Sequence, residues 1–166
     1  MQQNITSHIK KGLLIAAVII VFNVIAQIAY FVISPWFNYT TILVFIILIV
    51  IAVLHFKKQA NETAFGVLLT HGFKTAAVAT CIIFLYAVIA YYFVFPGYID
   101  ELLQKGIEQA KAQGKSLKEI ESEMSIARKV LINSLLSGTV MLHLITGVLG
   151  ALAGAGIGSR LKNKSV

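Results

Sequence analysis

The chain has 166 residues, of which 58% are hydrophobic and 13% charged, and its formal net charge is +7. A soluble domain carries about 25% charged and about 45–50% apolar residues, and a core this small cannot hide the surplus. An ordinary soluble domain is therefore excluded. The charges are also segregated: none occurs from Gly12 to Phe56, from Thr75 to Ile99, or from Val130 to Ser159. A hydrocarbon layer about 30 Å thick needs about 20 helical residues to cross it, and backbone inside it must bond to itself. Each run is read as membrane-spanning helix.

The first run, 12–56, would be about 68 Å long as one helix, too long for one crossing. Ser34-Pro35-Trp36-Phe37-Asn38-Tyr39 divides it. Proline disfavours helix at the residue before it, and Trp36 and Tyr39 suit the water–lipid boundary. This predicts helices over 12–33 and 37–55. The apolar stretch reaches Ile33, longer than a signal-peptide core of about 7–15 residues, so a span is expected rather than a cleaved leader. Asn23, Gln27, Tyr30 and Ser34 fall within about 60° of arc on the first helix. Amides in lipid seek partners, so this face is expected to turn toward other helices.

His55, Lys57 and Lys58 precede a third predicted helix over 68–95, and His71 and Lys74 lie in its first turns. The histidines lack metal-like spacing, and no metal site is expected. Cys81 is the lone cysteine, which rules out a disulfide within one chain, and it is expected as a small buried hydrophobe. Pro96-Gly97 should kink or restart the chain. Beyond it, Ile99, Leu102, Leu103, Ile107 and Ala110 recur at helical spacing, as do Leu117, Ile120, Met124, Ala127 and Leu131. Gly114 separates the two sets, Ser116 and Glu119 form a capping box, and Glu101–Lys105 and Lys115–Glu119 add i,i+4 pairs. Residues 97–129 thus read as a helical hairpin outside the membrane, each arm roughly 20–25 Å. It is a simple solvated connection, a docking surface or lid, or a segment whose first arm lies on the membrane.

The fourth predicted helix, 131–158, carries Thr139, His143, Thr146, Gly147, Gly150 and Gly154 on one face, with Gly158 at its margin. Gly150, Gly154 and Gly158 make a GxxxGxxxG strip that lets another backbone approach closely. His143 is the only ionisable residue deep within a predicted span. Neutral histidine is cheap to bury, so a structural role is read ahead of proton or substrate handling.

Charge gives the orientation. The amino terminus, the 55–74 loop and the carboxyl tail share one side and hold eight lysines and arginines against Glu62 alone, while 97–129 is balanced. Lysine and arginine near helix ends stay on the cytoplasmic face. Both termini are therefore expected inside, and the basic balance is a topology signal rather than a sign of nucleic-acid binding. The basic rim should also attract anionic lipid heads.

Phe65-Gly66, Gly72-Phe73-Lys74 and Pro96-Gly97-Tyr98-Ile99-Asp100 accompany four spans, a charged helical segment, a glycine-rich last span and a basic tail. With these features the chain resembles the bacterial membrane family known as domain of unknown function 4199, typical of Bacteroidota. Where that family often has an acid or asparagine around the proline, this chain has Phe95 and Gly97. The resemblance implies a protein of a Gram-negative inner membrane and supplies no activity or catalytic residue.

The expected architecture is all-α: one integral membrane domain over 1–166, a four-helix bundle with the 97–129 hairpin on the periplasmic side. No carboxylate lies within a span, and no phosphate loop, hydrolase triad or H-E-x-x-H motif occurs, so neither an enzyme nor a cofactor is expected. The leading expectation is a non-enzymatic assembly or accessory subunit, in a homo-oligomer or with a membrane-protein partner, packing through Gly147, Gly150, Gly154 and Gly158. The alternative is a small transporter or channel component whose polar path uses Asn23, Gln27, Thr139, His143 and Thr146.

Overall fold

The computed structural model describes residues 6–29, 35–112, 114 and 117–161. Five α-helices follow in order: α1 (His8–Ile28), α2 (Pro35–Ala60), α3 (Phe65–Ile89), α4 (Pro96–Ala112) and α5 (Leu117–Arg160). A π-helical turn, Ala90–Val94, joins α3 to α4. Among the described residues, four stretches are long and apolar enough to cross a membrane: His8–Ile28, Tyr39–Ala60, Phe65–Val94 and Ile126–Arg160. This is a multi-pass, all-α membrane protein.

Local chemistry explains the helix ends. Ser7 caps α1 by accepting the Lys10 N–H on its hydroxyl (3.3 Å), which satisfies one donor of the open first turn. The helix closes at Ile28, short of the expected Ile33, where the Ala29 N–H bonds the Ile25 carbonyl at 2.9 Å. Tyr30 and Ser34, expected on the polar face, lie outside the described residues. Proline 35 opens α2, where its missing N–H costs nothing. This helix outruns its apolar run and ends at Ala60, with Lys57 and Lys58 placed favourably against the carbonyl end of the dipole. Asn61 then takes φ 51°, a left-handed conformation that asparagine tolerates.

The chain forms two compact units, one of residues 1–83 with 140–166 and one of residues 84–139. In the first, four helical segments pack around Ile15, Ala16, Ile19, Phe45, Ile49, Ala52, Ala76, Ala79, Ile83 and Ala151. Half of these are alanine, in keeping with association in lipid that rests on close packing rather than on expelling water. Phe22 stacks on Phe37 (5.1 Å between centroids) to join α1 to α2. A Cβ at Gly12 would lie 2.8 Å from Val78 and 2.9 Å from the Thr75 carbonyl, so only glycine lets α1 approach α3 this closely. Large apolar side chains such as Leu14, Leu43, Ile51 and Leu152 point outward. In water that would be a liability, but facing lipid it costs nothing. Cys81 is exposed as well, which corrects its expected burial. On a helix apolar all round, hydrophobicity does not say which side faces in.

In the second unit the π-helical turn ends at Phe95 (φ −130°, ψ 53°), whose N–H bonds Ala90 O at 2.7 Å, and α4 restarts at Pro96. The expected break at this proline is present. Ile99 is fully buried, and Leu102, Leu103 and Ile107 are half-buried, while Glu101, Gln104, Lys105 and Glu108 face solvent. Asp100 accepts from Arg128 of α5, and Glu101 pairs with Lys105 at 3.5 Å. Tyr98 stacks on Tyr91 (6.1 Å), and burial pushes its hydroxyl up to about 12, helped by Tyr91 and Glu101. Gly114 takes φ +84°, the left-handed turn expected of it. The capping box at Ser116 and the Lys115–Glu119 pair lie outside the described residues. Arm and last span are one helix of 44 residues, about 66 Å long.

Candidate functional site

The glycine strip of α5 is filled from within the chain. A Cβ at Gly147 would lie 2.6 Å from Ala76 Cβ, at Gly150 3.0 Å from Ile49 and 3.1 Å from the Ile46 carbonyl, and at Gly154 2.9 Å from Val53. At Gly158 it would lie 2.9 Å from Leu68. These contacts belong to α2 and α3, so a second chain could use the strip only if those helices left it. Gly72 on α3 completes the seam, since a Cβ there would meet Val53 at 2.7 Å and Ala151 at 2.8 Å. Neither Gly72 nor Gly12 belongs to a GxxxG repeat, so the sequence carries no spacing signal for their place in the seam.

The intramembrane polar residues mostly bond within their own helices. Asn23 donates its amide to Ile19 O (2.8 Å), Thr139 its hydroxyl to Leu135 O (2.8 Å), and Thr146 its hydroxyl to Leu142 O (2.7 Å). Such back-bonding gives each side chain a partner within its own helix, and Thr139 is hydrogen-bonded to Tyr91 as well. Gln27 is half-buried. His143 meets Phe45 edge-on, with centroids 4.9 Å apart and planes at 81°. Phe45 also comes within 3.5 Å of a Cβ placed at Gly147, so it seats histidine and glycine together on α5. Thr139 belongs to the other unit.

A more concentrated polar site lies where α1, α2 and α3 meet near the amino terminus. Lys11 is 6% exposed. Its ammonium donates to Ala52 O of α2 at 3.3 Å, lies 3.3 Å from His71 Nε2 of α3, and sits 5.3 Å from the Phe56 ring centre. An ammonium only donates, so Nε2 accepts and the ring proton sits on Nδ1. His71 stacks almost parallel on Phe56 (3.8 Å, 5°) and meets His8 edge-on at 6.3 Å. Burying a charge is expensive unless hydrogen bonds and an aromatic face replace the lost water, and here all three partners are present. Close by, Thr6 and Gln59 exchange two hydrogen bonds of 3.2 and 3.1 Å, tying the start of the chain to the end of α2.

An open cleft of about 340 Å³ lies over this cluster, lined by His8, Phe56, Gly66, Val67, Thr70, His71 and Lys74. Glu62, the acid nearest in sequence, is not part of this lining. It accepts the N–H groups of Thr63 and Ala64, both at 2.8 Å, and these bonds hold its carboxyl below the usual range. Among the described residues, no three histidine, cysteine, aspartate or glutamate side chains come together as a metal would require. His55, the other histidine of this region, is exposed.

The sequence did contain a signal for the cluster. Lys11 precedes Ile15 and Ile19 at four-residue steps on the buried stripe of α1, and His71 precedes Thr75 and Ala79 in the same way on α3. Counting Lys11 only as a topology charge concealed this.

A family model described as "Protein of unknown function (DUF4199)" matches residues 10–163. The chain belongs to this family. The match spans all four membrane helices and both halves of the Lys11–His71 pair, and the family description carries no activity. No curated protein and no solved structure matches the chain.

Proposed function

We propose that this DUF4199 protein is a non-enzymatic accessory or assembly subunit of a bacterial inner membrane. Both termini are then cytoplasmic and residues 97–129 periplasmic, in keeping with the basic charge gathered at the termini and the 55–74 loop. The observation that carries the reading is the small-residue seam. Gly12, Gly72, Gly147, Gly150 and Gly154 bring helices to backbone distance, which favours a stiff scaffold over a unit that rearranges around a solute. With that seam occupied internally, a partner or a second copy has the outward sides of the spans and the charged 97–129 segment to meet.

The transporter alternative has less support. Its path would run along Asn23, Gln27, Thr139, His143 and Thr146, and of these Asn23, Thr139 and Thr146 bond carbonyls of their own helices. Native mass spectrometry after gentle extraction from the membrane separates the two readings. A stoichiometric protein partner or a defined homo-oligomer is expected. A lone monomer that carries solute across reconstituted vesicles, with flux lost in His143→Leu, would replace this reading with the transporter.

A further inference from the structure

We infer that the cleft over the Lys11–His71 pair binds a phosphate-bearing anion, either the headgroup of an anionic lipid or a free phosphate. Its lining supplies two imidazoles and one ammonium, from His8, His71 and Lys74, and contains no carboxylate. With Nε2 held by Lys11, His71 keeps an N–H on its other ring nitrogen for a ligand. Glu62, the acid nearest in sequence, accepts from the Ala64 and Thr63 backbone and does not belong to the lining. Thr70 spends its hydroxyl proton on Gly66 O (2.8 Å), so the histidines and Lys74 are the donors. At about 340 Å³ the cleft is at the small end of ligand sites, which run about 300–1,000 Å³.

Position favours the headgroup. The cleft lies at the start of the α1 and α3 spans, the depth at which lipid phosphates sit. Val67, itself exposed, lines it and offers an apolar contact for an acyl chain. Lys11 fixes the ring of His71 from behind, so the donors are in place before a ligand arrives. The inference does not depend on the accessory-subunit reading, because a transporter could carry the same site.

The test uses the full chain in lipid nanodiscs. Native mass spectrometry counts phosphatidylglycerol retained in competition with phosphatidylcholine, and calorimetry titrates inorganic phosphate into discs of phosphatidylcholine alone. Lys74→Gln and His8→Gln remove cleft donors, whereas Lys10→Gln and Lys58→Gln remove exposed charge outside the lining. Loss of one donor to a charged phosphate should weaken binding about tenfold. The expected result is that weakening for the cleft variants, less than about twofold for the two controls, and unchanged melting for all four. Retention of the anionic lipid without phosphate binding identifies the headgroup, and phosphate binding that Lys74→Gln abolishes identifies the free anion. Equal losses in cleft and control variants would mean diffuse surface attraction and overturn the site, as would absence of both lipid preference and phosphate binding.

Discussion

Lys10 and Lys11 are neighbours in sequence, yet one is exposed and the other is nearly sealed among three helices. A step of 100° along α1 separates them, and the inward one survives because Ala52 O, His71 and Phe56 replace its water. Removing one partner of such a pair should hurt more than removing the charge itself. His71→Leu is expected to destabilise the protein by about 1–3 kcal/mol, since it leaves the ammonium short of an acceptor. Lys11→Met should cost less, and the double variant should recover part of the loss. Thermal unfolding in detergent checks this, and a double variant weaker than His71→Leu alone would refute the pairing. Glu62 gives a pH effect. Its lowered pKa means that its contribution is complete above 4.5, the unfolded value, and is lost as pH falls through the folded one. Protection of the Thr63 and Ala64 amides, measured against the intrinsic exchange rate at each pH, should therefore fall in acid, and Glu62→Gln should already lower it at neutral pH.

At the scale of the helix, α5 shows why a small-residue stripe must be read together with its neighbours. Gly154 and Gly156 are two positions apart, but a Cβ at Gly154 would strike Val53 whereas one at Gly156 would meet nothing within 4 Å. Gly154→Ala should overpack the seam and cost about 1–3 kcal/mol. Gly156→Ala should be neutral or stabilising by up to about 1 kcal/mol, because alanine is the better helix former. Melting temperatures of the two variants in one detergent decide the matter, and equal shifts would mean that the seam is not tight. The GxxxG spacing was legible in the sequence, and so were the restart at Pro96 and the turn at Gly114. Gly12 and Gly72 were not recognised as seam residues, because their contacts come from helices distant in the chain.

For the molecule as a whole, the charge distribution predicts sidedness. With Cys81→Ala as background, Asn61→Cys should react with a membrane-impermeant thiol reagent only after the inner membrane is opened. Gln109→Cys should react in cells whose outer membrane alone is permeable. Labelling of both in the same compartment would overturn the proposed topology.

The number of spans, their approximate limits and the expected orientation came from the sequence alone. A charge in hydrocarbon is so costly that charge-free runs mark the spans, and lysine and arginine mark the side. The faces of each helix were legible only relative to that helix. Tertiary structure alone decided that Cys81 looks outward, that the glycine strip of α5 is filled by α2 and α3, and that Lys11 meets His71 from 60 residues away. Lipid is as apolar as the bundle interior, so hydrophobicity cannot choose between inward and outward faces there. Shape and hydrogen bonding between helices make that choice, and they exist only once the helices have met.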